Sequence, residues 1–440
     1  MNIFHPRVND RGISDGITGM QFPSYEYGLA CIYKLIGEHF WVNRLWSLLI
    51  FSIGIIFMYG WIFQLTGSTM KGCVAAWCFC WSPELFYHGI NALPDILALT
   101  AAIGSLSFAY QYQKNRKVKT LLISMLLLVL AGLTKIQFLM AGSVWVIWLF
   151  ANDKYVISKK EKFAISLFGV TVASIVIEWY IYARKLIDST GMRDVGLVFK
   201  PSNDFNTALK TITDNLVSDL PELLIGYASF VFLLIGIYII IKRRKLFAAV
   251  SRPYVLWAVL FIVYYLIELG QMKEHNYYLI IVIPLLVLII TFGAEHLYSK
   301  SRVLFFTLLI VQPLLSAIRI VPSRWIGDST ELPDELYIKD SRNRLQQAIP
   351  TKSLCIIEGD VSGCIWFYFL EKKGYNFADK EIMLQSVDNK TKIEKAIEKG
   401  VRYLYTNDDS LENDERFKNL IVKKIMQEGS IKVYQLKSAS

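Results

Sequence analysis

Residues 114–135 read KNRKVKTLLISMLLLVLAGLTK: four basic side chains within six positions, then an apolar run, then one isolated lysine. A run this apolar beside a flank this basic reads as a helix that enters a membrane from a basic loop. The same unit recurs in both directions along the chain. Apolar runs fall at residues 45–65, 72–87, 96–110, 120–133, 138–151, 163–182, 223–241, 254–269, 277–292 and 303–320. Basic residues collect in alternate connections: Lys114, Arg116, Lys117 and Lys119; Lys154, Lys159, Lys160 and Lys162; Lys242, Arg243, Arg244 and Lys245; Lys300 and Arg302. By the positive-inside rule these connections face the cytoplasm, and with an even number of spans both chain ends lie outside.

The fold class that follows is an all-α polytopic membrane protein of about ten transmembrane helices with a small C-terminal α/β domain. A hydrophobic fraction of 54% agrees with it. The net charge of +10 does not call for nucleic acid as a partner, because topology already places the basic residues in short loops. The six Cys show no paired CxxC spacing and the five His form no HxxxH or HxH pair, so no metal site is expected.

Residues 1–43 form a polar and aromatic extracytoplasmic segment without signal-peptide character. Within it Tyr25, Leu29, Cys31, Tyr33 and Ile36 give an amphipathic stretch ending at Gly37, suited to a helix lying at the interface. Residues 44–320 are the transmembrane domain, and residues 328–440 read as an extracytoplasmic soluble domain. Strands are expected at 353–358, 401–405 and 431–436, and helices at 361–373, 392–399 and 410–424, with Gly374 and Gly400 as helix stops. No catalytic constellation occurs there, so a cap or acceptor-binding module is the expected role. Cys355 and Cys364 share this domain, and both a disulfide and two buried thiols are compatible with that placement.

The connections opposite the basic ones carry His88 with Asp95, the lone Lys135, the stretch 184–222, and 273–278 with His275, Tyr277 and Tyr278. Glu84, Glu178 and Glu268 fall near the same end of their runs. Ionisable groups at membrane depth are costly and mark functional sites by default. A carboxylate can position a hydroxyl or take its proton, and Lys or His can hold a departing phosphate. Each residue also has an ordinary reading: Asp95 as a helix N-cap, Lys135 snorkelling, the Tyr pair as an aromatic belt.

Four short motifs, in this order, resemble the GT-C membrane glycosyltransferases of the protein O-mannosyltransferase and aminoarabinose-transferase group (dolichyl-phosphate-mannose-protein mannosyltransferase-like). The first runs from Arg11, Gly12, Asp15 and Gly16 through Gly19, Met20, Gln21, Phe22, Pro23, Tyr25 and Tyr27 to Tyr33, Lys34, Gly37 and Arg44. The second is Ser82, Pro83, Leu93, Pro94 and Asp95; the third Leu133, Thr134 and Lys135; the fourth His275 to Tyr278 with Pro284. The resemblance implies inverting transfer of a sugar from a polyprenyl-phosphate donor, with no tightly bound cofactor, to a glycan, lipid or protein acceptor. It places Asp95, with Asp15 as a substitute acid, in catalysis. Lys135, His275, Tyr277, Tyr278 and Arg11 would hold the donor phosphate, and Gln21, Tyr25 and Glu268 would contact acceptor or sugar. It also implies a bacterial inner membrane location. The family has one more span ahead of its first outer loop and an acidic residue soon after it; this chain is read as lacking both, and Gln21 stands where the family has Lys. A lipid or solute transporter and an inactive envelope-polysaccharide scaffold are the alternatives. A transporter would place its polar groups near the midplane in repeat-related halves, whereas here they gather at one face.

Overall fold

The computed structural model describes residues 3–7, 17–150, 158–190, 200–202, 204–272, 275–326, 333–360, 365–376, 389–409 and 418–438. They divide into two compact units.

The first unit is helical and holds the membrane part. Its elements are α1 (Ser24–Ile36), α2 (Phe40–Thr66), α3 (Thr69–Cys80), α4 (Pro83–His88), α5 (Pro94–Asn115), α6 (Val118–Thr134), a 3₁₀ turn (Ile136–Gly142) running into α7 (Ser143–Phe150), and α8 (Lys159–Thr190). They continue with α9 (Phe205–Asp214) leading into a π-helical segment (Asn215–Leu224), α10 (Tyr227–Lys242), α11 (Arg244–Ile267), α12 (Leu269–Met272), a second 3₁₀ turn (Asn276–Val282), α13 (Ile283–Lys300) and α14 (Arg302–Ile320). The chain is thus a polytopic membrane protein, and each of the ten apolar runs is helical over most of its described residues. Among the described residues four helices are long and apolar enough to cross a membrane alone: Phe40–Thr66, Lys159–Ser189, Asn276–Lys300 and Arg302–Ile326. A fifth joins them if Phe205–Leu224 and Tyr227–Lys242, bent by 115°, count as one span. That composition count is lower than the expected ten: the runs at 120–133, 138–151 and 254–269 fall in apolar helices of 10–17 residues, shorter than a lone span needs, and two more runs have physical reasons of their own. The run at 72–87 is broken at Ser82–Pro83, where Ser82 caps α4 through Leu85 N–H and Pro83 takes the first helical position. The run at 96–110 belongs to α5, whose 22 residues include 14 buried ones and which packs against α2 and α6, so it need not be apolar toward lipid.

Small residues let these helices approach. Ala98, Ala101, Ala102, Gly104, Ser105 and Ala109 line buried α5, and hydroxyls tie it to its neighbours: Thr100 donates to Ile50 O at 3.2 Å and Ser124 to Ser105 O at 2.8 Å. Gln312 of α14 closes the helix breaks. Its amide donates to Trp81 O and Ile225 O and accepts from Ser229 N–H, while Ser82 donates to Leu224 O. Backbone groups freed at membrane depth are thereby satisfied inside the protein. The closest approach is between α10 and α13, where a Cβ on Gly293 would run into Phe232 O and one on Gly236 into Ile289 O. Gly293→Leu is therefore expected to lower stability by more than about 3 kcal/mol, the upper end of overpacking in a core. Thermal unfolding of purified protein checks this, and a midpoint close to that of the unaltered chain would refute the close packing.

The second unit takes the described residues from 325 onward, with 4–7, 17–19 and 186–190. The segment 1–43 is therefore shared between units, its helical part belonging to the first. The C-terminal fold has five strands, β1 (Leu354–Glu358), β2 (Lys373–Asn376), β3 (Val401–Thr406), β4 (Ile421–Glu428) and β5 (Ile431–Leu436), in the order β2-β1-β3-β5-β4. β1 is parallel to β2 and β3, and β5 is antiparallel to β3 and β4. Period-two alternation sorts its two faces. Cys355, Ile357, Tyr405 and Val433 meet α15 (Pro333–Gln347) and α16 (Ile365–Leu370), whereas Ile356, Leu404 and Tyr434 meet α17 (Asn389–Glu398).

Two local expectations are corrected. Residues 421–424, expected in a helix over 410–424, begin strand β4, which forms a hairpin with β5 across Gly429–Ser430. Residues 410–417 lie outside the described residues. Gly374 is not a helix stop: α16 ends at Leu370, and Gly374 (φ 151) sits in β2 where a Cβ would collide with Cys355 O. Cys355 is a buried free thiol pushed up to about 12 by its burial, and Cys364 lies outside the described residues.

Candidate active site

Antiparallel packing of α5 and α6 brings Asp95 and Lys135 to one end of the bundle. Their basic ends, at Lys114 and Lys117, lie one helix length away, about 33 Å for a 22-residue helix. Asp95 is not the N-cap of α5. Leu93 is, because Pro94 occupies the first helical position, and Asp95 follows in the first turn. Its side chain is 2% exposed; Oδ2 stands 3.6 Å from Lys135 Nζ and Oδ1 is buried without a hydrogen-bond partner.

Lys135 sits where the chain breaks. Its extended backbone (φ −154, ψ 117) separates α6 from the 3₁₀ turn, and its ammonium lies over the Tyr278 ring, 5.6 Å from the centroid. From Tyr278 the ring contacts continue to Tyr277 at 4.8 Å and on to His88 at 5.6 Å, and His88 Nε2 pairs with Glu84 Oε1 at 3.0 Å. His275, N-cap of the second 3₁₀ turn, touches both tyrosine rings at 5.4 and 5.7 Å. The structure thus gathers Asp95, Lys135, His275, Tyr277 and Tyr278 from three separate sequence regions. It adds His88 and Glu84.

Glu268 follows α11 and lies against residue 200, whose N–H is 3.5 Å from the carboxylate; Lys135 is within electrostatic range but not in contact. Tyr25 is buried with its hydroxyl taken by Asn43 and Ser47 at 2.7 and 2.6 Å, which fastens α1 to α2. Gln21 lies between two anchored neighbours: Met20 O accepts from Trp179 Nε1 at 3.1 Å, and Phe22 N–H donates to Leu133 O at 2.9 Å. Arg11 and Asp15 lie outside the described residues. Among the described residues no three His, Cys, Asp or Glu are grouped as metal ligands.

The site also contains residues that the sequence did not single out. Glu26, in the first turn of α1, is within electrostatic range of Lys135 and Asp95, and its Oε2 is buried without a hydrogen-bond partner. Burial pushes its carboxyl above the usual carboxylate range; its own backbone N–H and Lys135 pull it partly back, and Asp95 adds to the rise. Tyr180 of α8 and Tyr264 of α11 lie within electrostatic range of Asp95. Both stand in apolar runs beside other aromatic residues, where a tyrosine gives no local signal of a site.

Residues 21–179 match the model of the family described as dolichyl-phosphate-mannose-protein mannosyltransferase. No curated protein matches the chain by sequence. Among solved structures, ArnT from Cupriavidus metallidurans bound to undecaprenyl phosphate superposes with a TM-score of 0.63 at 11% identity, covering 99% of this chain and 90% of that one. The apo form of the same protein gives 0.61 at 12% identity, with 95% and 88% covered. An oligosaccharyltransferase from Archaeoglobus fulgidus gives 0.53 at 11% identity, with 90% and 60% covered. Matched over residues 21–179 to that mannosyltransferase family and over nearly its whole length to ArnT in structure, the chain has the fold of the GT-C membrane glycosyltransferases.

Proposed function

We propose that this protein is an integral-membrane glycosyltransferase that moves a sugar from a polyprenyl-phosphate donor to a glycan, lipid or protein acceptor on the extracytoplasmic face. The observation that carries the reading is the buried Asp95–Lys135 pair with its aromatic wall of Tyr277 and Tyr278. Support for a lipid-phosphate donor comes from the relative that holds undecaprenyl phosphate. Support for the outer face comes from the basic connections, which lie at the opposite end of α5 and α6. A bacterial inner membrane, with the C-terminal domain outside, fits that orientation.

In the reaction, the bond between the anomeric carbon and the phosphate oxygen breaks, its electron pair leaves on the phosphate, and the acceptor oxygen bonds to the opposite face of the carbon. Lys135 stands to neutralise the departing phosphate, and the uncommitted Oδ1 of Asp95 to orient the acceptor hydroxyl. His275 and the two tyrosines wall the phosphate end.

The test is the full chain in proteoliposomes given radiolabelled polyprenyl-phosphate-linked sugars, with and without a divalent cation. Transfer of label together with release of polyprenyl phosphate is expected. Label that crosses the bilayer unchanged, with no donor cleaved, would replace the enzyme by a transporter.

A further inference from the structure

Lys135 has three carboxyl groups within electrostatic range, Asp95, Glu26 and Glu268; Glu268 has Lys200 beside it as well, and of the other two Asp95 forms the ion pair. Asp95 is held at 3.6 Å. Glu26 is brought to the same place by a different route. Phe22 N–H donates to Leu133 O, and the Ser24 and Thr134 hydroxyls bond at 2.6 Å, so the head of α1 is clamped to the last turn of α6, next to Lys135. Tyr25 then fixes the seat of α1 through Asn43 and Ser47 of α2. The carboxyl that follows has a buried Oε2 without a hydrogen-bond partner, its own backbone N–H being the donor it does have. The charged groups acting on it from neighbouring elements are Lys135 and Asp95.

Two ionised carboxylates beside one ammonium leave the cluster with a net negative charge, in a place meant to receive a phosphate. One carboxyl is better neutral, and it is the one without an ion pair. Building on the glycosyl-transfer reading above, we infer that Glu26 is the proton-exchanging group of the site, while Asp95 serves as the ion-pair partner of Lys135. The balance is complete within the site. The acceptor hydroxyl gives its proton to the Glu26 carboxylate and its oxygen bonds the anomeric carbon; the electron pair of the broken bond leaves on the phosphate beside Lys135. Burial of Glu26 suits the task, since a base works best when its proton affinity lies near the operating pH. Two carboxyls in unlike settings then divide the roles of base and ion-pair partner.

The experiment uses the full chain in lipid nanodiscs and has two arms. In pH-difference infrared spectra, the carbonyl stretch of a neutral carboxylic acid is expected to persist above the ordinary glutamate range in the unaltered protein. It should vanish in Glu26→Gln and remain in Asp95→Asn. In the transfer assay with polyprenyl-phosphate-linked sugar, the rate should rise with pH through the titration of Glu26. Glu26→Gln should turn over about 10²-fold more slowly with that acid limb gone, and Glu26→Asp should restore the limb. A neutral-acid band that survives in Glu26→Gln, or an unchanged acid limb in that variant, overturns the assignment. A band that follows Glu26 in a protein that cleaves no donor removes the glycosyl-transfer reading and the catalytic role together, while the protonation assignment stands.

Discussion

Asp95→Asn is expected to slow sugar transfer by about 10² to 10⁴, with expression, thermal midpoint and donor-lipid affinity kept. The size is that of losing a positioned carboxylate at the reacting hydroxyl. The fold should tolerate the change. Leu93, not Asp95, caps α5, and asparagine has nearly the same shape as aspartate. Donor affinity should not weaken, because the substitution removes a carboxylate that competes with phosphate for the Lys135 ammonium. Steady-state kinetics resolve this as a fall in kcat with KM for the donor unchanged or lower. Near-normal turnover would take Asp95 out of the reaction.

Lys135→Ala should act on the other side of the same pair, weakening binding of a polyprenyl phosphate by about 10- to 100-fold. That range corresponds to the roughly 1.5–3 kcal/mol of hydrogen bonds to a charged group. This variant also leaves Asp95 buried without its cation, so it should lose stability that Asp95→Asn does not. The double variant separates the effects: adding Asp95→Asn should recover the thermal midpoint and leave lipid binding as weak as before. A snorkelling lysine would change neither measurement, and lipid binding that returns in the double variant would mean that Asp95, not Lys135, governs the phosphate.

The helices were legible because membrane physics writes itself locally. Apolar runs, Ser82 before Pro83, Gly67 after α2 and basic loops at one end each follow from neighbouring residues alone. The N-cap reading of Asp95 was correctable on the same ground, since a proline at the first helical position moves the cap to the residue before it. The pairing of Asp95 with Lys135 was less legible. Sequence reading assigned them to opposite ends of a reaction, and only the packing of α5 on α6 makes them partners. Glu26 carried no signal: it lies in an amphipathic stretch where a glutamate reads as the wet face. Its Oε2 is buried where Ser24 bonds a threonine 110 positions away. Strand β4 is hidden for a different reason: Ile421 to Glu428 show no period-two alternation, and only the pairing with β5 makes them a strand.

Helix α5 carries a consequence for synthesis rather than chemistry. At 22 residues it has the length of a span, yet it is not among the four helices apolar enough to cross alone. Such a segment gains less from lipid than those four do and leans more on its protein neighbours. These are α2, which leaves the ribosome before it, and α6, which leaves after it. The nascent chain is therefore committed to this crossing only once α6 has emerged. The step that seats α5 in the bilayer is then the same one that brings Lys135 to Asp95, so a chain that has inserted this region correctly has also assembled its charge pair.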